Sequence, residues 1–127
     1  MAILLDSHAL LWMLYNPIRI GLGARHIVER DGTVLVSKAS LWELAIKKNI
    51  GKLPYDIEEI AEGAEKSNFL DLDIENRHIV NLAKVQLPHR DPWDSMLVAQ
   101  AQSDALHLLT ADRKILDHFD RSIDATK

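Results

Sequence analysis

The chain contains no cysteine, which excludes disulfide bonds and thiolate metal sites. Any metal it binds must be held by oxygen or imidazole ligands, a donor set that suits Mg²⁺ or Mn²⁺. No apolar stretch is long enough to span a bilayer. No basic segment precedes the first apolar run, so a signal peptide is not expected and the cytoplasm is the default location. Positive charge is in deficit: 15 Lys and Arg face 19 Asp and Glu, a formal net charge of -4. That balance argues against nucleic-acid binding through overall charge and leaves only a local basic face. Repeats, low-complexity segments and linkers are also lacking, and the six histidines show no zinc-type spacing.

What is present suits one soluble domain over residues 1–127, with a hydrophobic content of 47% and a charged content of 27%. Residues 2–5 form a wholly apolar run, the pattern of a central strand buried on both faces. Ser7 is placed to cap a helix over Ala9–Tyr15, which Asn16-Pro17 stops. A second helix is expected over 22–30, ending at the turn signal Asp31-Gly32. Thr33–Val36 is β-branched and reads as the second strand. Ser37 or Ser40 then caps a helix through Lys48, with Gly51 as its stop. Further on, the pattern predicts a helix from Asp56 to about Ser67, a weak strand at Phe69–Leu72 and a helix over Glu75–Val85. Asp91-Pro92 is a strong helix start, and that helix runs to about Asp104. A strand at Leu106–Thr110, a helix at Asp112–His118 and a last strand within Ser122–Thr126 complete the pattern. Alternating strands and helices predict an α/β fold, a mainly parallel sheet covered on both faces.

Four acids fall where buried strands end or helices begin: Asp6, Glu43, Asp94 and Asp112. In a parallel α/β sheet these positions can meet at the carboxyl edge, where such sheets bind ligands. Each acid has an ordinary alternative role. Asp6 can cap a helix or shape a turn, unless Ser7 takes the cap and frees it. Ser40-x-x-Glu43 fits a capping box; if the helix begins at Ser37, Glu43 instead shares a face with Ser40 and Lys47. Asp91 has the better claim to cap its helix, which leaves Asp94 on the first turn. Asp112 can cap the helix that follows it. A carboxylate cluster without paired cations repels itself, and a hard cation such as Mg²⁺ makes it tolerable. The four acids together point to metal-dependent phosphoryl-transfer chemistry, with hydroxyls of Ser7, Ser40 and Thr110 placed to orient ligands or phosphate.

The run Leu4-Leu5-Asp6-Ser7-His8-Ala9-Leu10-Leu11-Trp12 resembles the opening of a PIN domain, and Val36-Ser37-Lys38-Ala39-Ser40-Leu41-Trp42-Glu43-Leu44 resembles its second acidic motif. The stretch His89-Arg90-Asp91-Pro92-Trp93-Asp94-Ser95-Met96-Leu97 is similar to the third, and Leu109-Thr110-Ala111-Asp112 to the fourth. The resemblance covers essentially the whole chain and is nearest to the VapC-type toxins of prokaryotic toxin–antitoxin pairs. It implies a three-layer α/β/α fold and a Mg²⁺-dependent endoribonuclease that hydrolyses phosphodiester bonds with metal-activated water. It also implies a homodimer restrained by a small cognate antitoxin whose tail lies across the acidic pocket. By position, Asp6, Glu43 and Asp94 match the metal-holding acids and Asp112 the more variable fourth. Asp91 is the substitute if the register of the third motif shifts.

An acidic protein that cuts RNA needs local positive charge. Arg19, Arg25, Lys38, Lys47, Lys48, Lys52, Arg90, Arg113 and Lys114 are candidates, and Arg90 and Arg113 each neighbour a proposed ligand. Trp12, Trp42 and Trp93 can stack on bases or pack against the sheet. His8 and His89 are placed to meet phosphate or to sit on the surface. Leu10, Leu11, Leu14, Ile18, Leu44, Ile46 and Ile50 supply more apolar surface than one core needs, enough for a partner face. Two other readings fit part of this pattern. One is a PIN-like module that binds RNA or a partner without cutting. The other is a receiver-like phosphoacceptor domain, disfavoured because Asp6 stands alone and position 112 carries Asp rather than Lys.

Overall fold

A computed structural model describes residues 1–88 and 90–127, with the side chain of Asp31 left aside. Among the described residues, five strands and seven α-helices follow one another in the expected alternation. They are β1 (Ala2–Leu5), α1 (Ser7–Tyr15), α2 (Leu22–Asp31), β2 (Thr33–Ser37), α3 (Lys38–Asn49) and α4 (Ile57–Lys66). After these come β3 (Leu70–Leu72), α5 (Asn76–Leu82), α6 (Pro92–Ser103), β4 (His107–Thr110), α7 (Arg113–His118) and β5 (Ser122–Asp124). A short 3₁₀ turn over Pro17–Arg19, not foreseen from the sequence, carries the chain from α1 toward α2.

The sheet order is β3-β2-β1-β4-β5, and every pairing is parallel. β1 is central because it is the most apolar strand: Ile3, Leu4 and Leu5 are fully buried. Their alternation divides the interior into two layers. Ile3 and Leu5 face a core built with Leu10, Leu44 and Ile60. Leu4 and Leu108 face the opposite core, with Leu97, Val98 and Ile115. This is the expected three-layer arrangement.

Register then positions the chemistry. Leu5 is level with Val36 on one side and Leu109 on the other. The residues that follow, Asp6, Ser37 and Thr110, therefore leave the sheet side by side at its carboxyl edge. The reversal of strand order across β1 and β4 opens the crevice there.

Several local expectations are corrected. Asp6, not Ser7, caps α1: its backbone is extended (φ -78°, ψ 175°) and its carboxylate accepts from Ala9 N–H. Ser37, not Ser40, caps α3, so the Ser40–Glu43 capping box does not form. The helix expected over Glu75–Val85 ends at Leu82, and Glu75 is its cap. The surplus apolar residues also separate. Leu10 and Leu44 belong to the core, whereas Ile18, Ile46 and Ile50 are exposed. Trp42, Ile46 and Ile50 recur every fourth residue, so they form one outward apolar stripe on α3.

Candidate active site

Asp6 is almost wholly buried at the end of β1. Its Oδ1 accepts from Ala9 N–H at 2.8 Å and its Oδ2 from the Thr110 hydroxyl at 2.6 Å. Thr110 is itself fully buried, and its Oγ1 accepts from Asp112 N–H at 3.0 Å. One threonine thus links the first acid to the backbone of the fourth. Burial pushes the Asp6 carboxyl above the usual carboxylate range, opposed by its two hydrogen bonds and the nearby His8, while the Glu43 charge adds to the rise.

Glu43 is buried on the second turn of α3. The Ser7 hydroxyl, free of capping duty, donates to Glu43 Oε1 at 2.9 Å, and Lys47 Nζ lies 2.8 Å from Oε2. The expectation of a cluster without paired cations is therefore corrected at this acid: Lys47, one turn along the helix, neutralises it.

Asp94 lies half-buried in the first turn of α6, where Asp91 caps the helix by accepting from Asp94 N–H at 2.9 Å. Its carboxyl is pushed up to about 7, first by burial and then by the charges of Asp91, Asp112, Asp6 and Glu43. All four other acids are within electrostatic reach of this one carboxyl. Asp112 caps α7, its Oδ1 accepting from Lys114 N–H at 2.8 Å and Ile115 N–H at 3.2 Å.

The remaining expected residues fall at different distances from this centre. Ser40 is fully buried one turn before Glu43, and its hydroxyl has no hydrogen-bond partner among the described residues. Arg90 is exposed. Arg113 points along the surface to Asp124 at 3.5 Å and Asp117 at 3.9 Å. Trp42 and Trp93 meet edge to face at 5.8 Å, and the Trp93 indole nitrogen is buried without a partner among the described residues. His89 lies outside the described residues.

Sequence reasoning missed two buried polar residues, His78 and Gln100. His78 Nε2 lies 3.0 Å from Asp104, and its Nδ1 accepts from Glu75 N–H at 3.0 Å. Gln100 donates to the Asp73 carbonyl at 3.2 Å and accepts from Ser37 Oγ at 2.6 Å. Ser37 in turn accepts from Ala39 N–H at 3.0 Å, which ties this network to the start of the helix bearing Glu43. A lone glutamine within the apolar run Leu97-Val98-Ala99-Gln100-Ala101 was the available signal, because a buried amide needs partners.

A hard divalent cation suits this donor set. The acids supply only oxygen donors, and burial together with four other acids raises the Asp94 carboxyl. Among the described residues no three side chains are already gathered into a metal cage. Glu43 is turned toward Ser7 and Lys47, while Asp91 and Asp112 are occupied as caps.

An open, all-parallel α/β/α sheet with acids at its carboxyl edge defines the class. Residues 3–121 match the PIN domain, and the chain belongs to that family. Solved structures share the fold at low identity. VapBC from Salmonella typhimurium, bound to DNA, aligns with a TM-score of 0.74 at 16% identity, covering 98% of each chain. VapBC2 from Rickettsia felis, bound to a DNA fragment from its promoter, gives 0.69 at 13% identity, covering 98% of this chain and 100% of that one. FitAcB from Neisseria gonorrhoeae gives 0.63 at 17% identity, covering 97% of each chain. No curated protein matches the sequence.

Proposed function

We propose that this protein is a Mg²⁺-dependent endoribonuclease, the toxin of a VapBC-type toxin–antitoxin pair acting in the cytoplasm. The observation that carries the reading is the surrounding of Asp94 by Asp6, Glu43, Asp91 and Asp112 at the carboxyl edge of the sheet. A module that only binds RNA gains nothing from acids that repel its ligand. Membership of the PIN family adds support for nuclease chemistry, and the similarity to toxin–antitoxin complexes supports an antitoxin partner.

Asp6, Glu43 and Asp94 hold Mg²⁺ in this reading, Mn²⁺ being able to use the same donors, and Asp112 completes or tunes the site. When bound, the cation supplies Lewis-acid stabilisation of charge on the phosphate and acidifies water beside it. The protein's own groups prepare the site. Thr110 fixes Asp6 Oδ2 by donating its hydroxyl proton, and Ser7 fixes Glu43 Oε1 in the same way. Lys47 balances the Glu43 charge within the protein. Asp94 must give up the proton that burial and its neighbours favour before it can hold a cation, so apparent Mg²⁺ affinity rises with pH toward about 7. Hydrolysis leaves a 5′-phosphate product. The exposed stripe of Trp42, Ile46 and Ile50 offers apolar surface for the antitoxin or for a second copy in a homodimer.

The test is cleavage of total cellular RNA by purified protein with Mg²⁺, with chelator, and with Asp94→Asn. Discrete fragments that need both Mg²⁺ and Asp94 are expected. Absence of cleavage by folded, antitoxin-free protein would transfer the assignment to a non-catalytic RNA- or partner-binding module.

A further inference from the structure

Beside the acids lies a cleft of about 420 Å³ lined by Asp6, His8, Trp12, Arg19, Ala111 and Asp112. Its lining is mixed in chemistry. Asp6 and Asp112 contribute carboxylates. The Arg19 guanidinium carbon sits 4.6 Å from the centre of the Trp12 ring, and the His8 ring lies 6.3 Å from Trp12, tilted by 43°.

The sequence produces this arrangement directly. His8 and Trp12 are one turn apart on α1, the helix that Asp6 caps, so both rings follow the first acid along one helix face. Trp12 lies six residues beyond Asp6, about 9 Å along the axis. The unforeseen 3₁₀ turn at Pro17–Arg19 then folds Arg19 back over the indole.

Arg19, like Lys52, Arg90 and Lys114, has no ion pair among the described residues, and of these four it is the one that lines the cleft. Lys38, Lys47, Lys48 and Arg113 are ion-paired, and Arg25 is bonded to the Pro17 and Ile20 carbonyls. Arg19 is exposed and makes no salt bridge among the described residues; its one contact of note is with Trp12. An arginine held over an aromatic ring presents a planar, weakly hydrated cationic surface, which is a stacking platform for a nucleobase and a fork for a phosphate.

We propose that this cleft is a nucleotide subsite: it holds one unpaired nucleotide of single-stranded RNA next to the bond being cut, its base stacked on the Arg19–Trp12 platform beside His8. The proposal rests on the nuclease reading above and adds to it the residues that hold the nucleotide. The base must be unstacked from its own strand to enter, so the subsite selects single-stranded over duplex RNA.

The test uses a short single-stranded oligoribonucleotide of mixed sequence and protein carrying Asp94→Asn, so that the RNA stays intact. Binding is followed by the indole N–H NMR signals of the three tryptophans, alongside cleavage of the same RNA by the unaltered chain. A saturable shift of the Trp12 signal is expected, with affinity reduced about tenfold by Arg19→Ala, the loss expected for one stacked base. Arg19→Lys, which keeps the charge and loses the plane, should recover only part of that affinity. The same sequence as a duplex should bind at least as weakly as the single strand does to Arg19→Ala. RNA that binds and is cut while Trp12 stays unmoved, or equally well after Arg19→Ala, would overturn the subsite and leave the nuclease standing. A Trp12 shift lost in Arg19→Ala, with no cleavage by the unaltered chain, would keep the subsite and overturn the nuclease. Neither binding nor cleavage would overturn both.

Discussion

Two clusters of polar side chains in this molecule are built from similar residues and reach opposite electrostatic outcomes. At the junction of α5 and α6, Asp104 accepts from Arg77 Nε at 3.0 Å and lies 3.0 Å from His78 Nε2. Its carboxyl is held down at about 2, chiefly by the Arg77 hydrogen bond. At the carboxyl edge of the sheet, the Asp94 carboxyl rises to about 7 through burial and the charges of its neighbours. In the first cluster each charge or buried donor has a counterpart within the fold, so the cluster stabilises structure. In the second, burial and the charges of four other acids raise the Asp94 carboxyl. Perturbation of that kind clusters at functional sites.

Substitution should separate the two clusters sharply. Asp94→Asn is expected to reduce RNA cleavage by at least about 100-fold, the scale of the transition-state stabilisation a bound metal contributes. The same change should leave thermal stability equal or higher, because it removes a repelled charge; a large fall in Tm would break the comparison. Gln100→Leu should do the reverse to the fold. It removes partners from Ser37 and the Asp73 carbonyl, costing about 3 kcal/mol in denaturant unfolding at roughly 1–3 kcal/mol for each orphaned buried group.

Acid–base behaviour sharpens the contrast. Asp94 has a folded pKa of about 7 against an ordinary 3.8, so the native state binds more protons across that interval. Its contribution to stability is therefore greatest near pH 4 and declines as pH rises through 7. Asp104, at about 2 against 3.8, behaves oppositely: its contribution is complete above about pH 4 and is lost as pH falls toward 2. Thermal melts of chelator-treated protein should show both slopes. Mg²⁺ should raise Tm more at pH 8 than at pH 5, and Asp104→Asn should flatten only the acid limb. The smallest effect is expected at Ser40, whose buried hydroxyl has no partner among the described residues. Ser40→Ala should be neutral or stabilising by about 1 kcal/mol in the same unfolding measurement.

The strands were legible because their residues leave little choice. A run such as Ile3-Leu4-Leu5 followed by Asp6 fits a central parallel strand and its edge. The placement of Asp6 beside Thr110 was legible for the same reason, since parallel strands deliver their ends to one side. Which residue caps which helix was less so. Asp6 and Ser7 are both good caps, and the decision came from the sheet: Asp6 N–H donates to the Leu109 carbonyl at 3.1 Å, which keeps Asp6 extended and begins the helix at Ser7. The Asp104–His78–Gln100–Ser37 network was not visible because its members lie far apart in sequence. The turn that lays Arg19 on Trp12 was hidden for a related reason: Pro17 marks the end of α1 but does not specify the direction the chain takes next.

The all-parallel sheet has one further consequence, for where the protein can be altered. The connections entering the strands, at Gly32, at Asn68 and at Ala105, lie at the sheet edge opposite the acids. Gly32 has a φ of 75° and open space where a side chain would project. Lengthening that turn leaves the register of β1 and β4 untouched, and loop closure costs only about 0.6 kcal/mol for each doubling of length. The amino edge can therefore accept a peptide tag or a reporter dye while the chemistry at the far edge keeps its geometry.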